Sequence, residues 1–180
     1  MNRIQTIEPA DAPQTIAALY DATQKKLGLI PNMVKVLGNS PAALQGYLSL
    51  SGALGGGKLK VATREKLALL IAERNACDYC LSAHTAIGGL LKIPATDVQA
   101  ARRGRSSNDK EQAILTLAEA LLDTNGAVSD DLFADVAAQG VTVEEALEVV
   151  AHVALNVLTN TINRFAQTEI DFPLVEAGAA

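Results

Sequence analysis

Apolar residues recur three and four positions apart along almost the whole of this sequence, and runs that alternate apolar with polar residues between tight turns are nearly absent. The first pattern gives a helix one apolar face, whereas the second is typical of a half-buried strand. Hydrophobic residues make up 49% of the chain but aromatic residues only 3%, so Ala, Leu, Val and Ile must fill the core. Such side chains suit closely packed helices. We therefore predict an all-α fold.

Breaks in this helical pattern divide the chain into segments. Gly28 and the run Gly55-Gly56-Gly57 are the strongest breaks, because glycine adopts backbone conformations that end a helix. Thr63 is expected to cap the helix after the glycine run, and Thr142 with Glu145 matches a capping box. Helices are predicted at 13–27, 33–37, 41–54, from 63, from 94 or 96 to about 103, at 109–122, 129–138 and 142–167, before an extended tail at 170–173.

Charge and hydropathy exclude two classes of partner. The formal net charge is -5, and no run of Lys and Arg is long enough to follow a phosphate backbone. No stretch approaches the roughly 18 uninterrupted apolar residues that a membrane helix needs, and residues 1–12 lack the apolar region of a signal peptide. We therefore expect a cytoplasmic protein that binds neither nucleic acid nor membrane.

The chain has only two cysteines, Cys77 and Cys80, which are three positions apart. A secreted domain held together by disulfides needs more cysteines, spread along the chain. A close pair points instead to redox chemistry or to a metal ion. If Asn75 or Asp78 caps a new helix, the two thiols lie one turn apart, at a spacing that a disulfide can span. The N-terminus of that helix would also lower the pKa of the thiols.

Two further residues complete a catalytic hypothesis. His84 follows Cys80 by four positions, so on a continuous helix its ring lies directly beside that sulfur. Glu65 lies on the preceding helix, and its carboxylate meets His84 if that helix folds back. A carboxylate that orients an imidazole beside a thiol is the arrangement of an activated nucleophile. The predicted catalytic residues are Cys80, Cys77, His84 and Glu65.

The order of chemical events follows from these positions. His84, held by Glu65, takes the proton from Cys80 directly or through water. The Cys80 thiolate then attacks the distal oxygen of a hydroperoxide, which yields an alcohol or water and a sulfenic acid. Cys77 resolves the sulfenic acid as a disulfide, and an external dithiol completes the cycle. The prediction is a thiol-dependent peroxidase with a role in antioxidant defence.

These residues match a family pattern. The pattern E-x11-C-x-x-C-x-x-x-H is met without a gap by Glu65, Cys77, Cys80 and His84. In this the chain resembles the alkyl hydroperoxidase D-like (AhpD-like) group of the carboxymuconolactone decarboxylase superfamily, and its peroxidase-related subgroup in particular. The resemblance is strongest over 61–91 and looser over 28–32 and 163–173. Tyr79 stands where those relatives often have His.

The resemblance carries further expectations. It implies an AhpD-like helical bundle and a dithiol peroxidase or disulfide reductase activity without metal, haem or another cofactor. It also implies a homo-oligomer, commonly a trimer or hexamer. In the best-known relatives a dihydrolipoamide carrier reduces the cysteine pair, which passes electrons to a peroxiredoxin. The expected partners are a small hydroperoxide, an external dithiol or lipoyl-type reductant, and a peroxiredoxin.

The length of 180 residues favours one domain, and no internal repeat divides the chain. A chain of this length can bury a core without disulfide support. We predict a single domain over residues 1–180, with the redox core at about 61–91.

Other interpretations of the cysteine pair stay open. Two thiolates and an imidazole suit zinc, although no second pair of ligands follows. Two cysteines can also be small buried side chains. A decarboxylase or lactone-active enzyme, as in the namesake branch of the superfamily, does not require the pair. A non-catalytic redox sensor would form the same disulfide without turnover. Turnover separates the enzyme from the sensor, whereas loss of both cysteines would spare a decarboxylase.

Polar residues near the predicted core have simpler expected roles. Glu73 is expected to pair with a neighbouring Arg or Lys, and His152 to be a hydrogen-bonded core histidine. Tyr79 is expected to pack beside the cysteine pair. Three asparagines recur at helical spacing on the last helix, where we expect hydrogen bonds between helices or between subunits. They are Asn156, Asn160 and Asn163.

Overall fold

The structure is a computed structural model that describes residues 3–178, apart from the side chain of Lys26. In this range the chain forms nine α-helices, a short 3-10 helix at Pro9–Asp11 and no β-strand, which confirms the predicted all-α fold. None of these helices is both long and apolar enough to cross a membrane. The helices are α1 (Gln14–Leu27), α2 (Asn32–Leu37), α3 (Pro41–Gly55), α4 (Val61–Arg74), α5 (Asp78–Leu90), α6 (Ala95–Arg102), α7 (Asp109–Thr124), α8 (Asp130–Ala138) and α9 (Val143–Ala166).

Several helix ends fall where the sequence predicts them, because capping residues there satisfy free backbone groups. Gly28 ends α1 in the left-handed conformation (φ 78°), and its N–H donates to the Gln24 carbonyl. Thr142 and Glu145 form the predicted capping box at the start of α9. The chain after α9 is not helical, as predicted for residues 170–173.

The cap of α4 differs from the prediction. Lys60 is the N-cap residue, so α4 begins at Val61 and the prediction that Thr63 caps it is wrong. Thr63 lies in the first turn, where its hydroxyl donates to Glu111 Oε1 at 3.0 Å. A carboxylate is a strong acceptor, and the hydroxyl is therefore used to join α4 to α7.

The central helix of the fold is α4. It packs against α5, α6, α7 and α9, and its residues 66–72 are all buried. One part of its surface joins the apolar cluster that contains both cysteines, and another joins the cluster formed with α7 and α9. Lys66 is the charged residue in this buried stretch, and its Nζ lies 2.7 Å from Glu111 and 3.3 Å from Asp97. A helix stretch buried on every face is part of the protein core.

Residues 168–178, here called the C-terminal strap, lie against α5 without forming a helix or strand. Three of their backbone N–H groups donate to side chains of α4 and α5. The pairs are Val175 with Ser82 Oγ (2.9 Å), Ala177 with Asp78 Oδ1 (2.9 Å) and Gly178 with Glu73 Oε1 (2.5 Å). Arg102 of α6 donates to the Glu176 carbonyl at 2.8 Å and forms the predicted ion pair of Glu73, also at 2.8 Å. The strap therefore ties three helices together.

Candidate functional site

A tight turn between α4 and α5 brings the predicted site residues together. Ala76 adopts a left-handed conformation (φ 49°), and the Cys77 N–H donates to the Ala72 carbonyl at 2.9 Å. The chain thereby reverses direction, and the two helices pack along each other. His84 of α5 consequently meets Glu65 of α4, as predicted.

The N-cap residue of α5 is Cys77, so the prediction of Asn75 or Asp78 at this position is wrong. The Cys77 Sγ accepts the backbone N–H of Cys80 at 3.3 Å. Asn and Asp are favoured caps because a side-chain oxygen accepts such an N–H, and here a sulfur takes that place. The two thiols still lie one turn apart at a helix N-terminus, which is the feature on which the redox prediction depends.

Both thiols are free and nearly fully buried, with exposed fractions of 1% for Cys77 and 3% for Cys80. A hydrogen bond from Cys77 lowers the pKa of Cys80, and donors on Asn163 and Asn160 add to this effect against the opposing effect of burial. The same hydrogen bond, together with burial, raises the pKa of Cys77. Cys80 is therefore the thiol that ionises first, and Cys77 keeps its proton.

The imidazole of His84 is held by Glu65. Its Nδ1 lies 2.7 Å from Glu65 Oε2, and the side chains are 24% and 14% exposed. Burial lowers the pKa of His84, but the charge of Glu65 and the hydrogen bond outweigh burial, so the net shift is upward. A negative charge on Cys77 acts in the same direction. Because Nδ1 is engaged by the carboxylate, proton exchange falls to Nε2.

The partner of the Cys80 sulfur differs from the prediction. Helical spacing predicts His84 directly beside Cys80, but no hydrogen bond joins these two residues in the described part of the chain. The Cys80 Sγ instead accepts from Asn163 Nδ2 at 3.3 Å. The cysteine whose charge influences His84 is Cys77. The packing of α9 against α5 decides this contact, and spacing within α5 alone does not.

Asn163 and Asn160 are site residues that sequence analysis did not identify as such. Both are buried on α9. The Oδ1 of Asn160 accepts from Asn75 Nδ2 at 2.9 Å, so the predicted hydrogen bonds between helices are confirmed for both residues. Asn156 differs, because its amide donates to the His152 carbonyl within α9. The regular spacing of the asparagines was a usable signal, but it did not reveal that one partner is a thiol.

Tyr47 of α3 is a third residue near the thiols that sequence analysis did not identify. Its ring packs against the apolar cluster that contains Cys77 and Cys80. Burial raises the pKa of the Tyr47 hydroxyl, and negative charge on Cys80 or Glu65 raises it further. The hydroxyl therefore stays neutral beside the thiols. A single tyrosine in an amphipathic helix gives no signal that distinguishes this position from ordinary packing.

Tyr79 and His152 make contacts that are mainly structural. The Tyr79 hydroxyl accepts the N–H of Met33 at 3.1 Å, and its ring meets Phe172 edge-on with centroids 5.8 Å apart. Tyr79 thus joins α5 to α2 and to the C-terminal strap. His152 is buried, but the prediction that it is hydrogen-bonded fails for Nε2, which has no partner among the described residues. Burial lowers the pKa of His152, which keeps its ring neutral.

The surface of the described residues carries an apolar cleft and a more polar one. An apolar cleft of about 240 Å³ between α7, α8 and α9 contains none of the predicted site residues. A more polar cleft of about 370 Å³ is lined by Asn75, Asn160, Thr161, Arg164 and Phe165. Asn160 is therefore shared between this cleft and the surroundings of Cys80. Among residues 3–178, no three His, Cys, Asp or Glu side chains come close enough together to hold a metal ion.

Comparisons with known proteins bear on the fold. Neither the protein-family models nor the curated proteins include a match to this chain. Solved structures match over nearly its whole length. One is described as the alkylhydroperoxidase AhpD core of an uncharacterized peroxidase-related protein from Ralstonia eutropha JMP134. It is 24% identical, has a TM-score of 0.84, and the match covers 94% of this chain and 92% of that chain.

Two further structures are similar at lower identity. The debrominase Bmp8, in complex with 2,3,4-tribromopyrrole, is 22% identical with a TM-score of 0.78, and the match covers 93% of this chain and 91% of that one. An uncharacterized peroxidase-related protein from Silicibacter sp. TM1040 is 18% identical with a TM-score of 0.80, over 92% and 88% of the two chains. At these identities the comparison establishes the fold, which is AhpD-like, as the residue pattern around the two cysteines predicts.

Proposed function

We propose that this chain, with its AhpD-like fold, is a thiol-dependent peroxidase that reduces hydrogen peroxide or small organic hydroperoxides. The observation that carries the proposal is the geometry of the site, in which the two thiols lie one turn apart at the start of α5 and the Cys80 sulfur accepts the Asn163 amide. The hydrogen bond from Cys77 lowers the pKa of Cys80, which favours Cys80 as the thiolate. A cysteine that attacks peroxide must be a thiolate, and its resolving partner must lie within disulfide reach. A fold neighbour described as an alkylhydroperoxidase supports the same reaction class.

In the first step, the Cys80 thiolate attacks the distal oxygen of the hydroperoxide. A sulfur–oxygen bond forms, the oxygen–oxygen bond breaks, and the electron pair leaves on the alkoxide, which takes up a proton and becomes the alcohol. The His84 imidazolium paired with Glu65 is the donor of this proton. Its orientation by the carboxylate is set before the substrate arrives.

In the second step, the Cys77 thiol attacks the sulfur of the Cys80 sulfenic acid. A disulfide bond forms, the sulfur–oxygen bond breaks, and hydroxide leaves. The Cys77 proton passes to His84, which is neutral after the first step and whose charge is linked to that of Cys77. From His84 it protonates the leaving hydroxide, which departs as water.

The disulfide returns to the dithiol by exchange with an external dithiol. One hydroperoxide and one external dithiol thus give one alcohol, one water and one external disulfide. A lipoyl-type dithiol is the reductant that the family resemblance implies, and a peroxiredoxin is a further acceptor of electrons in the same scheme. The resemblance also implies that the protein works as a homo-oligomer.

The test compares wild type, Cys80→Ser and Cys77→Ser after a single equivalent of tert-butyl hydroperoxide. Free-thiol titration and intact mass should show that wild type loses both thiols and two hydrogens. Cys80→Ser should stay reduced, and Cys77→Ser should accumulate a Cys80 sulfenic acid that a 1,3-dione reagent traps. A wild-type protein that stays reduced, or a Cys80→Ser variant that reacts as fast as wild type, contradicts the proposal.

A second candidate function is reductive debromination, which the similarity in fold to the debrominase Bmp8 favours. The same dithiol would supply two electrons, so that hydrogen replaces bromine on carbon, bromide leaves with a proton, and Cys77 and Cys80 form a disulfide. Bromide release from 2,3,4-tribromopyrrole in the presence of excess dithiothreitol tests this candidate. Release of bromide by a protein that does not react with hydroperoxide would replace the first proposal by the second.

A further inference from the structure

We propose that the carboxamides of Asn160 and Asn163 form a pair of amide donors that stabilises negative charge on the Cys80 sulfur and so selects Cys80 over Cys77 as the attacking thiol. Both asparagines lie on α9, with exposed fractions of 1% and 3%. The proposal deepens the proposed function and rests on it only for the identity of the oxidant that the thiolate attacks.

Asn163 makes the direct contact. Its Nδ2 donates to the Cys80 Sγ at 3.3 Å, and both residues are buried. A hydrogen bond to an ionised acceptor is stronger than one to a neutral acceptor, and the effect is larger where water is excluded. An uncharged amide in this position therefore favours the thiolate and adds no competing proton to the site.

The side-chain amide of Asn160 is oriented by a hydrogen bond from Asn75. Its Oδ1 accepts from Asn75 Nδ2 at 2.9 Å, which leaves Nδ2 to point elsewhere. This Nδ2 is buried and has no hydrogen-bond partner in residues 3–178. After Cys77 and Asn163, Asn160 is the next donor that lowers the pKa of Cys80. A thiolate is a better acceptor than a thiol, so the unpaired donor gains a partner when Cys80 ionises.

The helix dipole of α5 alone would favour ionisation of Cys77 over Cys80. Cys77 is the N-cap residue of α5 and thus lies closest to the positive end of the helix dipole. Its sulfur receives the backbone N–H of Cys80. The Cys80 sulfur accepts hydrogen bonds from the Asn163 amide and the Cys77 thiol, and the Asn160 amide also lowers its pKa. The donors on α9 therefore add to the Cys77 hydrogen bond in favouring negative charge on Cys80, against the order that the helix dipole alone would set.

Other titratable groups that face the Cys80 sulfur belong to α5 and α3. Cys77 donates a hydrogen bond to this sulfur. Burial is the main cause that raises the pKa of Tyr79 and of Tyr47, and negative charge on Cys80 raises both pKa values further. Both phenols stay neutral through the range in which a thiol titrates. The charge of the His84–Glu65 pair acts on Cys77, and Cys77 is hydrogen-bonded to Cys80. The pH dependence of Cys80 therefore reports on the thiol pair, on His84 through Cys77, and on the amides of α9.

The experiment measures alkylation of each cysteine by iodoacetamide against pH in the reduced, full-length protein, with peptide mass mapping to identify the modified residue. Asn163→Ala and Asn160→Ala should each raise the pH at which Cys80 alkylation reaches half its maximum. Each unit of this shift lowers the rate at neutral pH about tenfold. Asn163→Asp, which places an acceptor where the donor was, should shift the profile further. Asn156→Ala is the matched control, because Asn156 is buried on the same helix but donates to the His152 carbonyl.

An unchanged Cys80 profile in Asn163→Ala and Asn160→Ala, with cooperative thermal unfolding retained, overturns the proposal. An equal shift in Asn156→Ala does so too. If Asn163→Ala fails to fold, Asn160→Ala and Asn163→Asp decide the outcome. The measurement uses no hydroperoxide, so a protein without peroxidase activity can still give the expected alkylation shifts. Failure of the amide pair and failure of the proposed function are thereby distinguished.

Discussion

At the scale of single residues, the site depends on which side chains share a hydrogen bond. His84 and Glu65 share one at 2.7 Å, and Cys80 receives one from Asn163 at 3.3 Å. The first fixes the orientation of the imidazole ring, and the second places an amide donor against the sulfur. Because the two contacts have no residue in common, a substitution in one should leave the other largely intact.

Replacing Glu65 by Gln should lower the pKa of His84. In the native protein burial lowers this pKa, but the charge and hydrogen bond of Glu65 outweigh burial. The chain has two histidines, so an NMR titration of the imidazole C–H signals follows His84 and His152 separately. The signal of His152 should move less and serves as the internal control. A His84 titration identical to that of wild type would contradict the role assigned to Glu65.

The same pair sets a pH dependence of stability. The folded pKa of His84 lies above the unfolded value of about 6.5, so the pair stabilises the fold fully below that value. This stabilisation is lost as the pH rises through the folded pKa. Glu65→Gln should therefore reduce the free energy of unfolding more at about pH 6 than at about pH 9. For this partly exposed pair the difference should be on the order of 1 kcal/mol. Urea unfolding at the two pH values measures it.

At the scale of elements, the start of α4 and the start of α5 are held by contacts from distant parts of the chain. The C-terminal strap covers the start of α5, and Glu148 of α9 accepts the N–H groups of Lys58 and Leu59 just before α4. Each contact joins a loop or an extended segment to a helix. Their loss should loosen the ends of α4 and α5 before it affects the packed centre.

Arg102→Ala should destabilise the protein by about 3 kcal/mol, since it leaves the largely buried carboxylate of Glu73 without its ion-pair partner. Hydrogen exchange at the strap amides, such as that of Gly178, should become faster. Arg74→Ala is the matched control, because Arg74 is 39% exposed and pairs with Asp123 at the surface. Loss of such a pair changes stability by less than about 1 kcal/mol. Equal destabilisation by both substitutions would show that the buried pair does not hold the strap.

Gly57→Ala, in the loop between α3 and α4, should lower the free energy of unfolding by about 1 kcal/mol. A Cβ at Gly57 would lie 2.6 Å from the Glu148 carboxylate, which would have to move away from the backbone N–H groups of Lys58 and Leu59. Gly56→Ala is the control, because a Cβ there meets its nearest atom at an ordinary 3.6 Å. Thermal unfolding of the two variants compares them, and a Gly57→Ala variant as stable as Gly56→Ala would contradict the prediction.

At the scale of the whole molecule, the predictable features are those set by residues close in sequence. Hydrophobic spacing and caps such as Thr142 are local, and they predict the all-α fold and several helix ends correctly. Glu65 and His84 meet because they lie on consecutive helices joined by a short turn. The contact between Asn163 and Cys80 joins residues 83 positions apart, and it depends on how α9 packs. No local pattern contains that information. The single domain and the homo-oligomer stay predictions.

The C-terminal strap also sets the order in which the dithiol is enclosed during synthesis. The hydrogen bond between Ala177 and Asp78 spans 99 residues. A ribosome releases the N-terminal part of a chain first, so α4 and α5 emerge before α9 and the strap exist. A nascent chain therefore carries Cys77 and Cys80 at first without the contacts that α9 and the strap add. The hydrogen bond that Asn163 donates to Cys80 and the one between the strap and Asp78 form only when α9 docks and the strap closes over the start of α5.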